Sequence, residues 1–172
     1  MISKSGIAVA AVAAVAAAGL GACARTRGRP AGSVTAAQQF EKIKSLEGTW
    51  KTVPGSPMEA TIVYRAVGGG TTVQETIFPG APHEMVTMYH LDGDTLMLTH
   101  YCAQGNQARL EATEAAPDKI VFELLDATNV AADQGVMQRL VFTFRPDGFD
   151  QQSVYRESTG QLEATTLRFF RR

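Results

Sequence analysis

The residues able to do chemistry are concentrated in one stretch. All three histidines and one of the two cysteines fall between positions 83 and 102, as His83, His90, His100 and Cys102. Imidazoles with a thiolate are ligands for zinc or copper, and a thiol beside an imidazole is the starting point for nucleophilic catalysis. Which of these groups meet depends on a hairpin. Asp92-Gly93 is a strong signal for a two-residue turn. With that turn, Met85 faces His100, Thr87 faces Leu98 and Tyr89 faces Leu96. His83, if extended, faces Cys102. Side chains alternate with period two, so all of these share one face. Val86, Met88, His90, Met97, Thr99 and Tyr101 share the other. The first face is the more apolar and aromatic and is expected to point inward. A slip of one residue would exchange the faces.

The metal reading is weak on these residues. Pro82 can hold His83 in a loop, and no fourth ligand stands out. Cys102 as a nucleophile needs a lowered pKa. His100 lies two residues away, roughly 7 Å along a strand, beyond the roughly 3 Å of direct proton transfer. Asp92, Asp94, Asp147 and Asp150 read as turn formers, without the spacing of a calcium loop. There is no phosphate loop, dinucleotide fingerprint, Gly-x-Ser-x-Gly elbow or zinc-protease motif. No catalytic residue, metal or cofactor is assigned.

The elements that must position these groups are nearly all strands. Thr35-Ala36-Ala37-Gln38 fits a capping box. Phe40, Ile43 and Leu46 follow at helical spacing, and Gly48 can end that helix in the left-handed conformation. Runs rich in Val, Thr, Ile, Phe and Tyr then recur near 49–53, 58–66, 71–78, 84–91, 94–102, 107–114, 119–126, 136–145, 149–157 and 162–171. Turn residues punctuate them, among them Pro54-Gly55, Gly68-Gly69-Gly70, Pro79-Gly80, Pro117-Asp118 and Asp147-Gly148. Residues 127–135 have room for a helical turn. No interval can hold repeated crossover helices, so the sheet is expected to be antiparallel and hairpin-connected. Thr71-Thr72-Val73-Gln74-Glu75-Thr76-Ile77 puts Thr and Glu where a dry sandwich core would want aliphatic residues. A barrel with a partly polar interior accommodates them better. The expected fold is all-β: a closed antiparallel up-and-down barrel of about 8–10 strands after one short helix. A sandwich would show similar punctuation.

Phe40-x-x-Ile43-x-x-Leu46-x-Gly48-Thr49-Trp50 resembles the opening of lipocalin-like (calycin) barrels, where a short helix leads into a first strand carrying Gly-x-Trp. Residues 84–107, with His100-Tyr101-Cys102 and Asn106-Gln107, look like an uncharacterised bacterial branch of such barrels. The resemblance covers most of 36–172. It implies that Trp50 packs across one barrel end beneath an Arg of the last strand, with Arg168 the first candidate and Arg171 the second. It further implies a ligand cavity. Haem-binding relatives carry Gly-x-Trp-x-Gly, whereas position 52 here is Thr, a departure from that pattern.

The N-terminus supplies an address. Lys4 precedes the apolar, Ala/Val-rich run Ile7 to Ala22, which is short against the roughly 20 residues of a membrane-spanning helix and fits a secretory signal. Leu20-Gly21-Ala22-Cys23 resembles the lipobox of bacterial lipoproteins, which implies lipidation of Cys23 and firm attachment to membrane lipid. Ala24, rather than Asp, at the next position leans toward the outer membrane over the inner. The domain reading is therefore a signal over 1–22, a lipidated N-terminus and Gly/Pro/Ser-rich tether over 23–34, and a barrel over 35–172. Lys4 is the single charge in 1–22, so Lys+Arg falls from 16 to 15 against 17 Asp+Glu. A net acidic domain argues against nucleic acid as partner.

These readings combine into a lipid-anchored envelope protein whose barrel binds a small, largely apolar molecule without catalysis. Candidate ligand contacts are Trp50, Met85, Tyr89, Leu98, His100 and Cys102. Met58, Met85, Met88, Met97 and Met137 offer adaptable apolar surface, and Tyr64, Tyr89, Tyr101 and Tyr155 offer hydroxyls at a mouth. Two alternatives stand beside it. One is a structural or protein-interaction lipoprotein with a filled barrel. The other is a metal-, haem- or thiol-dependent enzyme using His83, His100 and Cys102. Ligand identity and oligomeric state are not legible.

Overall fold

The computed structural model describes residues 34–171. The stretch 1–22, Cys23 and the tether up to residue 33 lie outside the described residues.

Helix α1 spans Ala36–Lys44 and starts where the capping box places it. The Thr35 hydroxyl accepts from the Gln38 amide at 3.1 Å, and the Gln38 side chain accepts from the Thr35 amide at 2.8 Å. Two otherwise orphaned donors are thereby satisfied. Ala36, Gln39, Phe40 and Ile43 form the buried face. The helix ends at Ser45, before Gly48. Gly48 instead opens the first strand, at φ 121°, a conformation glycine enters without steric cost.

Ten strands follow: β1 (Gly48–Thr52), β2 (Thr61–Val67), β3 (Thr72–Ile77), β4 (Met85–Asp92), β5 (Thr95–Tyr101), β6 (Gln107–Ala116), β7 (Lys119–Thr128), β8 (Val136–Arg145), β9 (Gly148–Arg156) and β10 (Leu162–Arg171). Each pairs antiparallel with the next, and β1 pairs with β10, so the sheet closes into an up-and-down barrel. Ten strands, at the top of the expected range, build one barrel with no sandwich seam. The segment after β7 forms a turn near 132–133 where a helical turn had room.

The hairpin register differs from expectation by two residues. Asp92 pairs with Thr95, leaving Gly93 and Asp94 as the turn, with Gly93 at φ 55°. Glycine first is one of the favoured two-residue hairpin arrangements. Thr87 therefore faces His100, and Tyr89 faces Leu98. A shift of two preserves the faces, so the inward assignment of Met85, Thr87, Tyr89, Leu98 and His100 holds.

The two ends of the barrel differ. At one end α1 packs against β2, β4 and β5. Beneath it lies an aromatic layer. Trp50 meets Phe149 edge-on at 5.1 Å, and Phe149 stacks on Phe169 at 5.2 Å and lies 5.8 Å from Phe142. Such pairs add about 0.5–1.5 kcal/mol each beyond area burial. The Trp50 indole N–H donates to the Leu46 carbonyl at 2.6 Å, tying strand to helix.

The Arg over Trp50 is Arg171, not Arg168. Its guanidinium lies 4.9 Å from the Trp50 ring centre and donates to the Glu47 carbonyl at 2.9 Å. Strand parity explains the difference. Arg171 shares the inward parity of Leu167 and Phe169 and pairs directly with Trp50. Arg168 has outward parity and pairs with Asp147.

Candidate functional site

The opposite end holds a cavity of about 340 Å³, within the range of small-molecule sites. Register explains its position. Reading across β8, β9 and β10 from the open end toward α1, the inward rows are Met137–Tyr155–Glu163, Leu140–Ser153–Thr165, Phe142–Gln151–Leu167 and Phe144–Phe149–Phe169. The Leu140–Ser153–Thr165 row is the slimmest, and bulk rises from it toward the helix, so the tube is packed there and hollow in its other half. Walls from Ile77, Met85, Met137, Leu140 and Leu167 make the lining largely apolar. Phe78 lies at this end with φ 57°, an outlier for a bulky residue, and its ring rests 4.6 Å from the His83 ring.

One inward row is polar along most of its length. Tyr64, Glu75, Thr87, His100 and Ala108 stand side by side on β2 to β6. Glu75 is only 4% exposed. Its Oε2 accepts from the Tyr64 hydroxyl at 2.8 Å, the Tyr89 hydroxyl at 2.6 Å and the Gln151 amide at 3.1 Å. Its Oε1 has a single, longer contact with that amide, at 3.3 Å. Burial raises the Glu75 pKa, and the three donated bonds pull it back. The donors that surround it each favour the charged form, and burial, the larger effect, opposes them. Burial first and the Glu75 charge second push both tyrosines well above their ordinary value, so they remain hydroxyl donors.

His100 is buried in the same row. Its Nδ1 lies 3.0 Å from the Thr87 hydroxyl, and its Nε2 lies 3.1 Å from the Tyr155 hydroxyl. Burial lowers its pKa to about 4, so the ring is neutral near pH 7, with one nitrogen donating and the other accepting. Burial likewise raises the Tyr155 pKa. Gln151 and Tyr155 belong to β9, across the lumen from β3 and β5. Two hydrogen bonds therefore span the interior.

Of the candidate ligand contacts, Met85, His100 and Cys102 line the cavity. Trp50, Tyr89 and Leu98 belong to the packed half, although Tyr89 holds the cavity carboxylate. Met58, Met137 and Tyr155 line it as well; Tyr64 is buried behind Glu75, and Tyr101 is exposed. The structure does not bring the His83, His100 and Cys102 cluster together. His83 sits exposed in the β3–β4 loop, because the chain leaves the ladder at Ile77 and re-enters only at Met85. Among the described residues no group of three or more His, Cys, Asp or Glu is arranged to hold a metal ion.

Glu75 and Gln151 were not among the candidate contacts, and Tyr155 was named only for a hydroxyl at the mouth. For Glu75 a signal existed: a carboxylate at an inward position of an otherwise Thr/Val-rich strand. Comparison of the chain with protein-family models and with curated proteins finds no match.

Proposed function

We propose that this chain is a lipid-anchored β-barrel of a bacterial envelope, of lipocalin-like kind, that holds a small, largely apolar molecule in the open half of its barrel. One observation carries the reading. An apolar cavity with a few fixed polar groups stands at one end of a tube whose other end is sealed by a helix and an aromatic layer. Such a combination is the general form of a small-molecule site. It favours a binding barrel over a filled structural one. Trp50 beneath Arg171 supports the lipocalin-like kinship, and Leu20-Gly21-Ala22-Cys23 supports the anchor and the envelope address, the outer membrane before the inner.

Catalysis is not part of the proposal. His100 is neutral and both ring nitrogens are engaged, so it offers no free base to Cys102.

Native mass spectrometry tests the reading. The mature chain, carrying Cys23→Ser so that no acyl chain competes, is expected to leave cells with a small molecule that is released on unfolding. A uniformly bare protein that also fails to take up apolar probes would refute it.

A further inference from the structure

The cavity is selective by charge, and this inference rests on the cavity being a ligand site. Glu75 presents a buried carboxylate to it, held by neutral donors only: two phenols and one amide. No cation is among the groups that act on it. Two further carboxylates, Glu157 and Glu163, line the same cavity nearer its mouth. Among the described residues that line it there is neither lysine nor arginine, and His100 is neutral.

An ionised group taken out of water is costly unless it is paired. Neutral donors meet part of that need. They crowd Oε2 and leave Oε1 with one contact at 3.3 Å. The position open to a further donor is therefore on the carboxylate itself, against the lumen. A ligand with a cationic head would supply both the missing donor and the missing charge, through a charge-assisted hydrogen bond. A ligand ending in a carboxylate would bring a fourth negative group into a site with no cation to receive it.

We propose that the cavity takes an apolar molecule with a protonated amine head, seated against Glu75, and turns away fatty-acid-like carboxylates. Apolar walls from Met85, Met137, Leu140 and Leu167 receive the hydrocarbon part.

The barrel, its helix and the cluster that joins them are all built from residues 36–171, so the mature chain with Cys23→Ser carries the complete site. Titration calorimetry at pH 7 with decylamine, 1-decanol and decanoate separates head from tail. Decylamine is expected to bind at least about tenfold tighter than decanoate, with decanol between them. Decanoate binding as tightly as decylamine, or tighter, overturns the charge selection and leaves the cavity reading standing. Failure of all three to bind removes the cavity reading and the inference with it. In Glu75→Gln, which keeps the side-chain shape, the decylamine advantage over decanol is expected to disappear while decanol affinity is kept. An intact advantage in that variant overturns the assignment to Glu75. The comparison on the unmodified binding site decides the charge selection even if the variant does not fold.

Discussion

His100 is a buried base held uncharged, and its stability consequence has a definite sign. Its pKa falls from 6.5 in the unfolded chain to about 4 in the barrel. Between those values the unfolded chain takes up a proton that the folded one refuses. The stabilisation is thus complete above pH 6.5 and lost as pH falls toward 4, about 3 kcal/mol over the whole window. Glu75 has the opposite sign. Its raised pKa gives stability present below the ordinary carboxylate value and lost as pH rises through the raised one. The two are separable by substitution. Urea unfolding at pH 7 and pH 4.5 is expected to show wild type losing about 2–3 kcal/mol more than His100→Gln, whose amide does not titrate. Equal losses in the two proteins would remove His100 as the source. At this scale the sequence was partly legible. Period-two alternation is enough to put His100 and Met85 on the inner face. It cannot bring Glu75 to Gln151, which are 76 positions apart and meet only because the barrel closes. Arg171 was separable from Arg168 only through the parity of the last strand.

At the level of elements, strand positions were readable because Gly, Pro and Asp punctuate nearly every hairpin. The register was less so. Asp92-Gly93 and Gly93-Asp94 are both acceptable turns on sequence, and the choice moves every pair by two. The polar row needs three such registers to be right at once, since Tyr64, Glu75, Thr87 and His100 stand on four strands. Gly148, the first residue of β9, shows why one position beside a turn is fixed. A Cβ there would lie 2.0 Å from the Phe169 carbonyl oxygen, a backbone atom of the neighbouring strand. Gly148→Ala is expected to push β9 from β10 and cost about 1–3 kcal/mol, readable as a lower urea midpoint with an unchanged slope. An unshifted midpoint would mean that the β8–β9 turn has slack the packing does not suggest.

For the whole molecule, the proposed anchor rests on Leu20-Gly21-Ala22-Cys23. It yields a direct expectation. The mature protein should begin at Cys23 with the added mass of glyceride and acyl chains, and Cys23→Ser should move it from the membrane fraction to the soluble one. Intact-mass analysis of both forms checks this, and a soluble wild-type protein beginning elsewhere would contradict it. Punctuation made the antiparallel strand set legible and the Thr and Glu of residues 71–77 favoured closure into a barrel, whereas the split into a solid half and a hollow half was not legible. That split depends on which inward residues share a rung. The contacts Glu75–Gln151 and His100–Tyr155 also fix the calibre of the tube. Each ties opposite walls together at hydrogen-bond length, like a crossbar inside a pipe. A slim guest threads past the crossbars, whereas a broad fused-ring one must snap them and pay for the loose ends. Girth, as well as charge, thus sorts what may enter.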